Sequence, residues 1–147
     1  MWLFVLPLLV VIADQFSKYI VVENMALGQS IPVIEGIFHL TYILNPGAAF
    51  GMFAHSRLFF IGIAVAVIGL IIWARKEILA SPWEVKCGAG LFLGGAVGNL
   101  IDRARQGVVI DFFDFRVWPI FNIADIAICI GVGLIIWNLL KTELKRG

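Results

Sequence analysis

From Leu58 to Ala74 the chain runs without a single charge, closed by Arg57 on one side and by Arg75-Lys76 on the other. Such a run suits the roughly 30 Å hydrocarbon layer of a membrane, which takes about 20 helical residues to cross. Three more runs have similar reach: about 1–22, broken by Asp14 and Lys18, about 83–101, and about 121–140, broken by Asp125. Composition agrees, with 61% hydrophobic and only 14% charged residues in 147. A soluble domain is roughly 45–50% apolar, and one of about 150 residues buries only about 70% of its surface, so the excess has nowhere to go. The predicted class is an integral membrane protein, mainly α, with four transmembrane helices forming one domain over 1–147.

The first run lacks a basic leader and ends in Ala13-Asp14-Gln15 rather than a small-residue cleavage site, so it reads as a retained span. Four spans put both termini on one side, with Met1 starting close to the membrane surface. That side carries Arg75, Lys76, Lys86, Lys141, Lys145 and Arg146, against Arg57, Arg103, Arg105 and Arg116 opposite, and the excess assigns it to the cytoplasm. The outward connections lean toward strand: a β-element over about 24–56, centred on Ile31 to Tyr42, and a loop over about 104–120 containing Val108 to Phe115 that should lie against it. No repeat, low-complexity tract or linker divides the chain. A net charge of +1 suggests no nucleic-acid partner. Cys87 and Cys129, inside apolar runs, read as small buried hydrophobes.

The five aspartates, Asp14, Asp102, Asp111, Asp114 and Asp125, all fall on the outward side of this topology. A carboxylate in or beside hydrocarbon is costly unless paired or hydrated, so their clustering marks an outward polar site sunk into the bundle. Asp14 and Lys18 are four apart, on one helix face, an arrangement that neutralises both or supports a site beyond them. Gly90, Gly94 and Gly98 recur at intervals of four and lead to Asp102; small residues at that spacing bring helix backbones together and would press Asn99, Asp102 and Arg103 against a neighbouring helix. Asn45-Pro46-Gly47-Ala48-Ala49-Phe50-Gly51 reads as a tight turn or as a peptide-binding lip carrying Asn45.

Asp111 lies in the β-like loop, and Asp125 at the mouth of the last span with Asn122 just before it. Two carboxyl groups sharing a low-dielectric pocket titrate apart and hold one proton between them, the state that peptide hydrolysis by an aspartate pair needs. The residues alone leave the choice of pair among five open. Competing chemistry is poorly supplied. Ser17, Ser30, Ser56 and Ser81 lack a Gly-x-Ser-x-Gly setting, and Ser17 points away from Lys18 on a helix. His39 and His55 lie in the outer element without a His-Glu-x-x-His helix, so zinc is not expected and no cofactor is implied. The other functional classes are a small ion or proton transporter with an Asp14, Lys18 and Asp125 relay, which would need polar residues continuing inward, and a non-catalytic scaffold, which leaves the one-sided aspartates unexplained.

Five blocks in order, Asp14-Gln15-x-x-Lys18, Asn45 to Gly51, Gly94 to Arg103, Gly107 to Asp114 and Phe121-Asn122-Ile123-Ala124-Asp125, resemble the motif series of the bacterial lipoprotein signal peptidases, the type II signal peptidases. The resemblance covers nearly the whole chain. It implies an aspartic endopeptidase of the bacterial cytoplasmic membrane that cuts prolipoproteins before a diacylglyceryl-modified cysteine, with the site near the outer face. It implies Asp111 and Asp125 as the catalytic pair. Asn45, Gly47, Asn99, Asp102, Arg103 and Asn122 would bind substrate or hold that pair, and Asp14 and Lys18 would support it. The implied fold is four helices with an outer β-cradle and an outer helical segment; the implied partners are the prolipoprotein and membrane lipid, with the enzyme a monomer. Ile126 departs from the small or hydroxyl residue of many relatives.

Overall fold

The computed structural model describes residues 2–47 and 56–145. Met1, Ala48, Ala49, Phe50, Gly51, His55 and Arg146, to which expectations above refer, lie outside the described residues. Five helices and three strands follow in the order α1 (Trp2–Asn24), β1 (Ser30–Ile34), β2 (Phe38–Asn45), α2 (Arg57–Trp73), α3 (Arg75–Ala80), α4 (Trp83–Gln106), β3 (Val109–Asp114) and α5 (Ile123–Glu143). α1 and α5 are long and apolar enough to cross a membrane; α2 is apolar but 17 residues long. The class is mainly helical with a small antiparallel sheet, as expected. The short α3 falls between the expected spans at 58–74 and about 83–101, and among the described residues no helix interrupts the outer connections.

α4 is the central post, packed against α1, α2 and α5. Its glycines explain how closely. A Cβ placed on Gly94 would lie 2.7 Å from Val10 Cβ and 2.9 Å from the Pro7 backbone of α1, and one on Gly98 would meet Asp14 Oδ2 at 2.6 Å. A second small-residue face, not foreseen, meets α5: Gly88 and Gly131 face each other, each with a notional Cβ 2.6 Å from the other's carbonyl oxygen, and Gly95 abuts the Ala124 carbonyl. Where helices have no apolar driving force to separate lipid from protein, such backbone contact is what binds them.

α4 runs past the expected boundary at 101 to Gln106, with Arg103 and Arg105 in its last turn, where a helix C-terminus favours positive charge. Gly107, at φ 84° in the left-handed region, then reverses the chain into β3. β3 joins the sheet beside β2, in the order β1-β2-β3, with Asn45 opposite Val109 and Ile43 opposite Asp111. The expected contact between the two outer connections is therefore a strand pairing. Val21, Ile110 and Phe112 form the apolar contact under this sheet and fix it against α1.

Candidate active site

Asp111 and Asp125 come from different elements and line one cavity of about 530 Å³, together with Asn45, Gly47, Asn99 and Arg103. Asp111, on β3, is 1% exposed. Its Oδ1 accepts a hydrogen bond from Asn122 Nδ2 at 2.6 Å and its Oδ2 one from Asn45 Nδ2 at 2.9 Å. Asp125 occupies the third position of α5, in a capping box. Its backbone N–H donates to Asn122 Oδ1 at 3.0 Å, and its Oδ2 accepts from the Asn122 backbone N–H at 3.2 Å. Asn99 Nδ2 donates to the other oxygen, Oδ1, at 2.8 Å. Asn122 thus touches both carboxyl groups, and the start of α5 places one of them.

Burial lifts the Asp111 carboxyl to about 7, reinforced by the charge of Asp125 and opposed by the amide donors of Asn45 and Asn122. Asp125 stands in the first turn of a helix, its carboxyl beside the Asn122 backbone N–H.

Behind the cavity lies a buried ionic cluster. Lys18, 2% exposed, pairs with Asp14 Oδ2 at 2.8 Å and with Asp102 Oδ2 at 2.7 Å, and donates to Asn99 Oδ1 at 3.2 Å. Gln15 Nε2 ties Asp102 Oδ1 at 2.9 Å and the Gly98 carbonyl at 3.2 Å to the same face of α1. Arg103 donates to the Gly47 carbonyl at 2.8 Å and stacks over the Phe60 ring 4.6 Å from its centre. Gly47 N–H in turn donates to Asn45 Oδ1 at 3.0 Å, so Arg103 and Asn45 together hold the end of β2 at the rim.

Every predicted site residue is thus in the cavity or in the cluster behind it. Two expectations need correction. Asn99 and Asp102 do meet a neighbouring helix, both through Lys18 of α1, but Arg103 turns instead to Phe60 of α2, and Asn99 also reaches Asp125 of α5. Cys129 is exposed rather than buried, at the rim of the cavity, and Cys87 is half-buried. Asp114 also stands apart from the other aspartates: Thr41 Oγ1 donates to it at 2.8 Å and Arg116 Nη1 at 3.0 Å. Its burial works against ionisation, but these donors and the Arg116 N–H outweigh it and hold its carboxyl below the ordinary range. Sequence reasoning missed Gln15, Phe60 and the wall formed by Trp118, Pro119, Ile120 and Phe121. Gln15 alone carried a signal, as a polar residue inside an apolar run. No group of three or more His, Cys, Asp or Glu among the described residues is placed to hold a metal ion.

Known proteins resemble this chain over its whole length. The model of a family described as "Signal peptidase (SPase) II" matches residues 6–141. A lipoprotein signal peptidase of Brevibacillus brevis is 48% identical over 149 residues, covering 99% of both chains. One from Moorella thermoacetica is 46% identical over 142 residues, covering 97% of this chain and 95% of the relative. A solved structure of a bacterial membrane enzyme, obtained by the in meso method, superposes with a TM-score of 0.93 at 34% identity, covering 99% of this chain and 91% of that one.

Proposed function

This chain belongs to the signal peptidase II family, and on that premise we propose that Asp111 and Asp125 are the catalytic pair of an aspartic lipoprotein signal peptidase. The protein is a bacterial membrane peptidase that removes signal peptides from lipoproteins. The observation that carries the proposed pair is the meeting of two carboxyl groups, from β3 and from α5, in a single cavity, each held by asparagine amides. In this reading Asp125, at the start of a helix, is the base that takes a proton from water. Asp111, able to keep its proton up to about 7, donates to the scissile carbonyl oxygen. The substrate is a prolipoprotein cut before its diacylglyceryl-modified cysteine.

Asn45, Gly47, Asn99, Arg103 and Asn122 hold the peptide backbone or the pair, while Asp14, Lys18 and Asp102 support them from behind. The outer sheet can grip an extended segment by strand-like hydrogen bonds, and the acyl chains stay in lipid. Four membrane crossings by α1, α2, α4 and α5, in one domain, are supported by the apolar length of α1 and α5 and by α2, which has no buried residue. Both termini would lie in the cytoplasm, and the site near the outer face of the cytoplasmic membrane. The enzyme works as a monomer without a cofactor.

The test is cleavage of a diacylated prolipoprotein by purified protein, read by mass spectrometry. Asp111→Asn and Asp125→Asn should each give a folded protein with cleavage reduced at least about 10³-fold, in line with the loss of an acid–base group. Near-normal cleavage by either variant refutes the assignment.

A further inference from the structure

Lys18 does not line the catalytic cavity, yet it reaches both of its carboxyl groups through intermediaries. We propose that Lys18 is a positioning residue whose single ammonium group sets the separation of Asp111 and Asp125; the proposal rests on reading those two as the catalytic pair.

Two of the ammonium protons go to carboxylates. Asp14, besides binding Lys18 through Oδ2, accepts the Ala124 backbone N–H through Oδ1 at 3.0 Å. Asp102 accepts both Lys18 and the Ile110 backbone N–H, at 3.2 Å, on Oδ2. Ala124 is the residue before Asp125, and Ile110 is the residue before Asp111. One carboxylate therefore holds the backbone next to each catalytic group, and one cation holds the two carboxylates. Removing the cation leaves Asp14 and Asp102 as like charges in a low-dielectric interior, where their repulsion drives apart the start of β3 and the start of α5.

The third ammonium proton acts on the amide of Asn99. An ammonium is a donor only, so the Asn99 oxygen must face it and the Asn99 amide nitrogen must face Asp125. Asn122 Nδ2, at 3.1 Å from the same oxygen, demands the same orientation. Lys18 thereby fixes which hydrogen-bonding group meets the catalytic carboxylate as well as where that carboxylate stands. Arginine cannot replace it, because a planar fork does not offer three donors diverging from one atom.

A separate cavity of about 270 Å³, lined by Gln15, Lys18, Tyr19, Asp102, Arg105 and Gln106 among others, opens on Lys18 and provides the test. Lys18→Ala should lower kcat about 100-fold, the cost of a misplacement near 1 Å, with KM changed less than about threefold, since substrate contacts are left in place. Propylammonium, entering by this second cavity, should restore kcat at least about tenfold at a concentration where potassium or tetramethylammonium restores none, the latter having no N–H to donate. Should Lys18→Ala fail to fold, the uncharged triple variant Asp14→Asn, Lys18→Met, Asp102→Asn serves: it removes the repulsion but leaves nothing to tie positions 14 and 102 together, so it should fold and still show a fall in kcat. Wild-type kcat in either variant overturns the proposal, as does a fall in kcat that propylammonium and potassium restore equally. Asp111→Asn in the same assay keeps the readings distinct: an active Asp111→Asn refutes the pair itself, whereas an inactive Asp111→Asn beside a fully active Lys18 variant refutes only the positioning role.

Discussion

Asn45 reaches Asp111 from the end of β2, and its amide donor is one of the few groups that make the ionised form of that carboxyl tolerable. A pair that works with Asp111 protonated loses activity as pH rises through about 7, where that proton leaves. Asn45→Ala removes a donor that stabilises the anion, so the Asp111 pKa rises and the alkaline limb of kcat moves to higher pH. A net hydrogen bond of about 1 kcal/mol corresponds to a shift of about 0.7 pH unit. A kcat profile measured across pH 5 to 9 checks both sign and size, and an alkaline limb that moves down contradicts the assignment of the proton to Asp111. The aspartates were legible in the sequence because a charge inside an apolar run needs a reason. Gln15 showed only as a polar residue in an apolar run, and Phe60 not at all, because their partners, Asp102 and Arg103, lie far along the chain, where no periodicity encodes them.

At the scale of elements, the start of α5 depends on how closely α4 lets it approach. Gly95 abuts the Ala124 carbonyl, and a Cβ there would also meet Ile128 Cγ1 at 2.7 Å. Gly95→Ala must push back the turn that carries Asp125. It should cost about 1–3 kcal/mol of stability by overpacking and lower kcat as well, by thermal unfolding and cleavage assays on the same sample. Gly133→Ala is the counterpart: nothing lies within 4 Å of its notional Cβ, so it should leave cleavage intact and be neutral or stabilising by up to about 1 kcal/mol. The stripe of Gly90, Gly94 and Gly98 was readable from spacing alone. The face made by Gly88 and Gly95 was not, since its meaning lies in Gly131 of another helix. Likewise, the strand character of 109–114 was visible in its β-branched and aromatic residues, but its register with β2, interrupted between Leu40 and Ile43, was not.

The molecule as a whole is inverted relative to a soluble domain. Among the described residues the largest fully buried side chains are Lys18, Glu84, Asn122, Asp14 and Asp111, while Leu58, Trp73 and Val117 are among the most exposed. Lipid is the solvent that reconciles the two. At the opposite end from the sheet, buried Glu84 of α4 accepts from Lys141 of α5 at 2.9 Å, a tie that sequence reading passed over because the two are separated by most of a helix hairpin. The proposed orientation predicts a labelling pattern. With both natural cysteines replaced by alanine, Glu35→Cys should react with an impermeant maleimide on intact cells, and Lys76→Cys only after permeabilisation. The reverse pattern would invert the topology. The apolar helices could be read from the chain because hydrophobic length acts locally, while the proposed sidedness rests on the count of basic residues. The cavity could not, since it exists only where β3, α4 and α5 converge.

The capping box at Asn122 and Asp125 has a kinetic corollary. The carboxylate proposed to take up a proton in each turnover is also the one that accepts the first free N–H of α5. On that proposal, protonation of Asp125 weakens the bond its carboxylate makes to the Asn122 N–H, so amide hydrogen exchange at Asn122 should quicken while substrate is being consumed and slow again when it is gone.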